Sequence, residues 1–490
     1  MAAQDEKVTT GGDEVGKVEA HGIEYIAPTE RHGRPRDLFA VWAASNINYL
    51  YVLLGGLLVV FGLTLGQALI AVVVGNLFWA AIGVIAISGP AAGAPSSVIT
   101  RAMFGTRGNR INVGVFSWPV FIAYEAVNLS IGALAGFAIV QHFGATLSTP
   151  LKVVLVASIA TVTLVVSVYG HATILRLSGA VTVALALAMG GLAFFVVRHA
   201  DWSYQPTVEV GGGASWSIWA AGVALIAAAP LSWGVSPDYA RYLPQTSSRT
   251  AIAAWTGLGG FIPSVALGAV GVLAATVVDM SDAQTSIGQL LPFWFYPIFL
   301  AVIVIGSMSN NVLTMYSSGL CLQVIGIPLR RSITVLIDGL LGVALAGYAL
   351  FVSDFTAALS GILELTVTLL GPSIAIYITD LYLRRNDYSG YELRNDSPDG
   401  QFWYTKGFNV AGFAAFALGT GSALLCVNTT DFTGPIAIHL GGADVSWIVG
   451  PMVAGVVYAA LSRTLYPAST RAATARRSTS GAARKEPVHD

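Results

Sequence analysis

The chain has 490 residues, of which 55% are hydrophobic and only 10% charged, against about 25% charged residues in a typical soluble protein. This composition excludes an ordinary soluble domain and indicates a protein that crosses a membrane many times. A formal net charge of -1 offers no concentrated basic surface for nucleic-acid binding. The two cysteines, Cys321 and Cys426, lie in apolar runs, so the sequence predicts neither a disulfide framework nor a metal cluster.

Two polar segments flank the apolar part of the chain. Residues 1–35 and 466–490 contain few large apolar side chains and many Gly, Ala, Thr, Arg and Glu residues, so they lack the surface to build a core. We expect both to be disordered tails. The polar start does not resemble a cleavable signal peptide, which predicts that the N-terminal tail stays in the cytoplasm.

Between the tails, long apolar runs alternate with short polar loops. A helix needs about 20 mostly apolar residues to cross the hydrocarbon layer, which predicts about twelve spans, numbered here one to twelve. Their predicted limits are 39–62, 67–89, 111–141, 151–170, 175–197, 216–236, 250–279, 293–326, 332–351, 357–382, 408–427 and 442–462. Because backbone polar groups must be satisfied within the membrane, we expect an all-α polytopic membrane protein.

The basic residues predict how the spans are oriented. With the N-terminus inside, all but two of the 25 Lys and Arg residues fall on the cytoplasmic side, the exceptions being Lys152 and Arg198. Such asymmetry follows the positive-inside rule. It predicts a multi-pass protein of the plasma membrane with both termini in the cytoplasm.

Three spans carry polar groups in their interiors. Span one contains Asn46 and Asn48 within "AASNINY", span six contains Pro230 and Gly234, and span eight contains the polar segment 306–319. Proline deletes a helical hydrogen bond and glycine weakens the helix, so span six is expected to break. Buried Ser, Thr and Asn side chains also join membrane helices by hydrogen bonds, so helix packing stays an alternative for each of them.

Spans one and six occupy matching places if the first ten spans form two halves of five. Interrupted helices at matching positions are typical of secondary transporters with an inverted repeat and a binding site near the middle of the membrane. We therefore expect a first repeat at 36–200, a second at 201–390, and spans eleven and twelve at 391–465. Asn46 and Asn48 are then expected to face a cavity.

Four segments resemble one family of transporters. They are "GAPSSVITRAMFGTRGN" (93–109), "YEAVNLSIGALAG" (124–136), "SPDYARYLP" (236–244) and "LLGPSIAIYITDLYLRR" (369–385). They are similar to the nucleobase:cation symporter family, whose members carry cytosine, purines, uracil, allantoin or hydantoins. The resemblance implies a LeuT-like fold of five plus five spans and two further helices, a small heterocyclic substrate, a coupling cation and no cofactor.

The resemblance also implies a cation site. Carried onto this chain, its oxygen donors are Ala44 and Ile47 of span one and Gly306, Ser309 and Asn310 of span eight. Asn310 replaces a hydroxyl residue of a hydantoin-carrying relative. An amide oxygen still binds sodium, but the replacement leaves Na⁺ and H⁺ as alternative coupling ions.

The substrate site of the family holds a flat heterocycle between aromatic rings, with amides at its edge. The resemblance assigns the ring of span three to Tyr124 and the amides to Asn128, Asn48 and Asn311. Two positions depart from the family pattern. Ala229 stands at the aromatic position of span six, where Trp233, one turn on, is the expected substitute. Met315 stands where a second amide of span eight is expected.

Glu125, next to Tyr124, is an ionisable residue within span three. Such a residue inside a membrane is a functional candidate because its burial is expensive. It is expected either to carry a coupled proton or to bind a substrate amine, with a structural contact to a neighbouring helix as the alternative.

The sequence therefore predicts a transporter that imports a nucleobase of the cytosine or purine class by cation symport. An allantoin, hydantoin or uracil symporter and an amino-acid or amine transporter of the same fold are the alternatives. No enzymatic motif is found. Membrane lipid is the expected surrounding, nucleic acid is not an expected partner, and a monomer or weak oligomer is expected.

Overall fold

The structure is a computed structural model that describes residues 22–168, 171–206, 212–327, 331–353, 355–429 and 432–467. Across these ranges the chain is helical, with no strand and with two isolated β-bridges, Thr405 to Phe408 and Asn428 to Thr433. The predicted all-α class is confirmed.

Long apolar helices occur where the sequence predicts the spans. Among the described residues, ten stretches, some made of several consecutive helices, are long and apolar enough to cross a membrane: Leu65–Ala92, Thr106–His142, Thr149–Ser167, Ala180–His199, Ser215–Ala240, Arg249–Ala274, Phe295–Ile325, Ile333–Phe351, Ala358–Leu383 and Ser446–Leu465. A bent pair, Asp37–Asn46 and Tyr49–Val60, forms span one. Val410–Cys426, a 17-residue helix about 26 Å long, lies at the position of span eleven.

Short helices lie before span one and in the segments that join the spans. They are Pro28–Glu30, Ser96–Ile99, Arg101–Phe104, Met280–Asp282, Ala283–Ile287, Gly390–Arg394 and Pro435–His439. Span three itself begins with a short helix, Thr106–Ile111, and a π-helical turn, Asn112–Ser117, before its long part, Trp118–His142.

Span one is broken where the sequence places its two asparagines. Its two helices meet at an angle of 55° across Ile47 and Asn48. The Asn48 side chain accepts a hydrogen bond from Leu50 N at 2.9 Å and caps the second helix. Asn46 Nδ2 donates to Trp42 O at 2.7 Å in the last turn of the first helix. Asn48 therefore satisfies a backbone N–H that the break exposes, and Asn46 holds its side chain against its own helix.

Span six is broken as well, whereas span eight is continuous. The helix Gly212–Leu231 ends one residue after Pro230, and a short helix, Ser236–Ala240, begins after a turn. Ser236 Oγ donates to Ile82 O of span two at 2.7 Å, which anchors the second piece. The polar segment of span eight lies inside one unbroken helix, Phe295–Ile325, so its polar side chains mark a buried face.

The first ten spans pack mainly as two groups of four. In one group, spans one and two contact each other and both of spans six and seven, and spans three, four, eight and nine form the other group. Each group takes two spans from each half of the chain, as a repeat of five spans predicts. Span five packs against spans seven and eight, and spans ten, eleven and twelve pack together.

Glycine allows spans one and seven to approach closely. A Cβ atom added to Gly55 would lie 2.0 Å from Gly268 O, and one added to Gly271 would lie 2.0 Å from Val52 O. No side chain fits at either position without moving a backbone. Small residues at such contacts are typical of packed membrane helices.

The structure departs from the predicted N-terminal tail between residues 22 and 35. Ile26 is buried, and its N–H donates to Gly93 O at 2.9 Å. Arg31 Nε donates to Ile26 O at 3.0 Å, and Arg31 Nη1 donates to Pro90 O at 2.5 Å. These contacts hold the segment to the end of span two, which composition alone does not reveal. Residues 1–21 and 468–490, the rest of the predicted tails, lie outside the described residues.

Candidate functional site

A cavity lies where the two groups of spans meet, at the breaks of spans one and six. Its wall is formed by Ser45, Asn46, Asn48, Leu50 and Tyr51 of span one, Val120, Phe121, Tyr124 and Asn128 of span three, Ala229, Ser232 and Trp233 of span six, and Asn310 and Thr314 of span eight. The space between these atoms is about 460 Å³, part of it open to solvent, and the centre of a water molecule reaches only about 20 Å³ of it. The cavity is therefore narrow.

Span one contributes polar atoms because its helix stops inside the protein. Asn46 and Asn48 are 0% and 7% exposed, so both face protein rather than lipid. Tyr51, one turn after Asn48, donates its hydroxyl to Asn46 Oδ1 at 2.5 Å. The break thus supplies a hydrogen-bonded wall of two amides and a phenol.

An asparagine pair joins spans three and eight at the cavity. Asn310 Nδ2 donates to Asn128 Oδ1 at 2.9 Å. The other ends of the two amides, Asn128 Nδ2 and Asn310 Oδ1, are buried and have no hydrogen-bond partner among the described residues. One donor and one acceptor are therefore available in the wall. A buried polar group without a partner is uncommon in a folded protein and often marks a binding site.

Besides Tyr51, aromatic rings of spans three and six line the cavity. Tyr124 and Phe121 lie one turn apart on span three, and Tyr124 donates its hydroxyl to Ala228 O of span six at 3.2 Å. Trp233 of span six lies in the wall and packs edge-on against Trp42, with ring centroids 5.4 Å apart. Ala229 is also in the wall, so the family's aromatic position lines the cavity without a ring.

Two predicted substrate residues lie elsewhere. The structure places Glu125 and Asn311 outside the cavity wall, although both are buried. Glu125 lies against Gly342 of span nine, where an added Cβ atom would be 3.0 Å from Glu125 Oε2. Met315 of span eight also points away, since its sulfur accepts a hydrogen bond from Ser167 of span four at 3.3 Å. An amide side chain at position 315, which the family pattern expects, would therefore point away from this cavity.

The predicted cation donors are spread over spans one and eight. Ile47 is the residue at the break of span one, and Ala44 precedes it in the last turn of the helix. Gly306 and Ser309 lie within the continuous helix of span eight, and Gly306 packs against Leu185 of span five. Asn310, predicted as a cation ligand, instead presents its side chain to the cavity.

No group of three or more His, Cys, Asp and Glu residues that could hold a metal ion occurs in the part of the chain that the structure describes. The residues predicted as cation donors offer backbone carbonyl, hydroxyl and side-chain amide oxygens to a monovalent cation. Such groups are the usual cation ligands at broken transporter helices.

The predicted residues Asn48, Tyr124, Asn128, Ala229 and Trp233 all line the cavity. The prediction of site residues omitted several others, namely Ser45, Leu50, Tyr51, Val120, Phe121, Ser232 and Thr314. Helical spacing would have found some of them. Phe121 precedes Tyr124 by three residues and Thr314 follows Asn310 by four, which places each pair on one helix face.

Comparison with known proteins finds a protein family that matches most of the chain. Residues 25–450 match the family described as permease for cytosine/purines, uracil, thiamine, allantoin. YxlA of Bacillus subtilis (strain 168), named as a candidate purine-cytosine permease, is 27% identical over 472 residues, which cover 91% of this chain and 96% of YxlA. The purine-cytosine permease fcyB of Emericella nidulans is 25% identical over 243 residues, 46% of each chain.

A solved structure shares the fold. Mhp1, described as a nucleobase-cation-symport-1 family transporter in a closed conformation with bromovinylhydantoin bound, superimposes with a TM-score of 0.72 at 18% identity. The match covers 93% of this chain and 99% of Mhp1. At this identity the likeness shows the fold alone, and it confirms the predicted LeuT-like architecture.

Proposed function

The chain belongs to the family of permeases for cytosine/purines, uracil, thiamine and allantoin, and from this membership we propose that it imports a nucleobase of the cytosine or purine class together with a cation. As a member of this family it is a membrane transporter and not an enzyme. The proposed substrate site is the cavity between spans one, three, six and eight.

The observation that carries the proposal is the asparagine pair. Asn128 Nδ2 offers a donor and Asn310 Oδ1 an acceptor, both in the cavity wall and both without a partner among the described residues. The edge of a nucleobase presents donors and acceptors side by side, and it fits such a wall. Sites that hydrogen-bond their substrate reject analogues that lack the matching group. Tyr124 and Trp233 supply aromatic faces for the ring.

Movement at the helix breaks is part of the proposal. The space of about 20 Å³ that is open to water centres suits one or two water molecules and is too small for a heterocyclic ring. Side chains or helix ends must therefore move to admit substrate. The non-helical residues at 47–48 of span one and 232–235 of span six are the places where the backbone can turn. This supports alternating access around the cavity.

The remaining features of the proposal come from the sequence. We propose that both termini lie in the cytoplasm, that the membrane is the plasma membrane, and that the repeats divide at 36–200 and 201–390, with 391–465 added. The coupling cation is Na⁺ or H⁺, with Ala44, Ile47, Gly306 and Ser309 as the sodium ligands, since the side chain of Asn310 faces the substrate cavity. A monomer or weak oligomer is proposed.

Uptake into liposomes tests the proposal. Radiolabelled cytosine, adenine, hypoxanthine, uracil, allantoin and leucine are offered to the reconstituted protein under a sodium or proton gradient. We expect cytosine or a purine to accumulate and the gradient to be required. Accumulation of allantoin or uracil alone would assign the second substrate class of the same family. Accumulation of leucine, or of none of the rings, would contradict the proposed function.

A further inference from the structure

Two buried carboxyl groups lie at the contact between spans three and nine, outside the substrate cavity. Glu125 of span three and Asp338 of span nine are both 0% exposed. Glu125 Oε2 lies against Gly342, where an added Cβ atom would be 3.0 Å away. Asp338 precedes Gly342 by one helical turn and so shares its face of span nine. The two carboxyl groups therefore face the same helix contact.

Few hydrogen bonds reach these groups. Asp338 Oδ1 accepts from Trp118 Nε1 at 2.7 Å, and Trp118 lies two turns before Glu125 on span three. Asp338 Oδ2 and both carboxyl oxygens of Glu125 are buried with no partner in the described part of the chain. The hydroxyl of Ser318, on span eight, lies close to both carboxyl groups but outside hydrogen-bonding geometry with either. Spans three, eight and nine thus each place a side-chain oxygen without a hydrogen-bond partner at this helix contact.

The charge at this point is uncompensated. Spans four, eight, nine and ten pack around span three. The titratable groups of these spans near Glu125 are Asp338 and the thiol of Cys321. The thiol also lies within the electrostatic influence of Asp238. No Lys, Arg or His side chain among the described residues acts on Glu125 or Asp338. Burying an unpaired carboxylate costs several kcal/mol, and two like charges together cost more. At least one of the two groups must therefore be neutralised.

We propose that Glu125 and Asp338 together bind the proton that is coupled to transport, at a site separate from the substrate cavity. This inference rests on the proposed symport function. One proton shared by the two carboxyl groups, with Ser318 able to bridge them, removes a charge and supplies the missing hydrogen-bond donor. The proton binds when the site communicates with the more acidic side and leaves to the other side. No other atom is transferred.

The position of the pair explains how a proton can affect substrate binding. Glu125 directly follows Tyr124, whose ring lines the cavity and whose hydroxyl contacts Ala228 of span six. Loss of the proton places two like charges between spans three and nine and pushes these spans apart. A shift of span three moves Tyr124 relative to span six, which changes the cavity.

Transport by conservative variants tests the proposal. Glu125→Gln and Asp338→Asn keep the shape of each side chain and remove its ability to exchange a proton. In liposomes we expect both variants to retain counterflow of the accepted nucleobase, because exchange of labelled for unlabelled substrate needs no net proton movement. We expect accumulation driven by a proton gradient to fall about tenfold or more, within the usual range of coupling between sites. Glu364→Gln changes a carboxyl residue of span ten outside this cluster and is the matched control. This variant is expected to accumulate the nucleobase like the wild type.

Two outcomes would overturn the proposal. One is proton-driven accumulation at the wild-type level in both pair variants, and the other is wild-type accumulation that needs sodium and ignores the proton gradient.

A spectroscopic measurement separates this site from the proposed substrate. Infrared difference spectra of the purified protein over a pH change report protonated carboxyl groups without any substrate. We expect a carboxyl band that Glu125→Gln or Asp338→Asn removes and that Glu364→Gln leaves in place. If the carboxyl band behaves in this way but the protein transports none of the heterocycles, the proposed nucleobase transport is wrong and the proton site stands. If the carboxyl variants do not fold, Ser318→Ala serves, since it removes a single hydroxyl; an unshifted carboxyl band in this variant would overturn the site.

Discussion

Asn310 donates a hydrogen bond to Asn128 across the wall of the cavity, with 2.9 Å between Asn310 Nδ2 and Asn128 Oδ1. This bond fixes the orientation of both amides, so that a donor of Asn128 and the acceptor of Asn310 remain without partners among the described residues. A buried polar group left unpaired costs about 1–3 kcal/mol. A ligand that pairs with both groups recovers this energy, and the pair is therefore oriented in advance for an edge with one acceptor and one donor.

Removal of either amide is expected to weaken substrate binding. Asn128→Ala and Asn310→Ala each delete one hydrogen bond to the ring, so we expect the dissociation constant to rise about 2- to 12-fold, corresponding to about 0.5–1.5 kcal/mol. Because the two residues contact each other, the double variant should lose less than the sum of the single effects. Scintillation proximity binding measures the constants. Asn76→Ala, a buried asparagine of span two outside the cavity, is the control. Unchanged constants in both single variants would remove the pair from the site.

The ring and the hydroxyl of Tyr124 are expected to have different roles. Tyr124→Phe removes only the hydrogen bond to Ala228 O, whereas Tyr124→Ala also removes the aromatic face. Stacking of a base on an aromatic side chain is worth about 1–3 kcal/mol. We expect Tyr124→Ala to raise the substrate constant about 5- to 150-fold and Tyr124→Phe to change it much less. Equal effects of the two substitutions would show that the ring does not stack on the substrate. Uptake kinetics over a range of substrate concentrations give the comparison.

The spans were predictable because a helix in lipid must be apolar along most of its length. The predicted limits of span four, 151–170, and of span twelve, 442–462, lie within a few residues of Thr149–Ser167 and Ser446–Leu465. The breaks were predictable for a related reason. Asn48 and Pro230 are unfavourable in the middle of a membrane helix unless the helix stops near them, and both helices do stop there.

The side that each site residue faces was harder to predict. Neighbouring residues on a helix point about 100° apart, since one turn takes about 3.6 residues. Tyr124 and Asn310 therefore reach the cavity while the adjacent Glu125 and Asn311 do not. Span three and span eight are apolar on most faces, so their sequences do not reveal the rotation of each helix about its own axis. Only the packing of neighbouring spans fixes it.

Asn48 is expected to stabilise the broken helix of span one. Its side chain caps the second half by accepting from Leu50 N at 2.9 Å. Replacement of a capping asparagine by alanine costs about 0.5–2 kcal/mol, so Asn48→Ala should lower the thermal unfolding temperature of the purified protein. Asn48→Asp keeps the accepting oxygen and should retain most of the stability. If the alanine and aspartate variants unfold at the same temperature, the capping role of Asn48 is wrong.

The contact between spans one and seven is expected to tolerate no added atom. A methyl group on Gly55 would lie 2.0 Å from Gly268 O, a backbone atom that cannot rotate away. Overpacking of a well-packed contact costs about 1–3 kcal/mol, so Gly55→Ala should lower the thermal unfolding temperature clearly. Gly66→Ala is the matched control, because no described atom lies within 4 Å of the added methyl group and alanine favours the helix. This control should be neutral or slightly stabilising. Since spans one and seven belong to the same group of four, a mild effect at Gly55 would mean that the two helices are farther apart than described and that this group is not tightly packed.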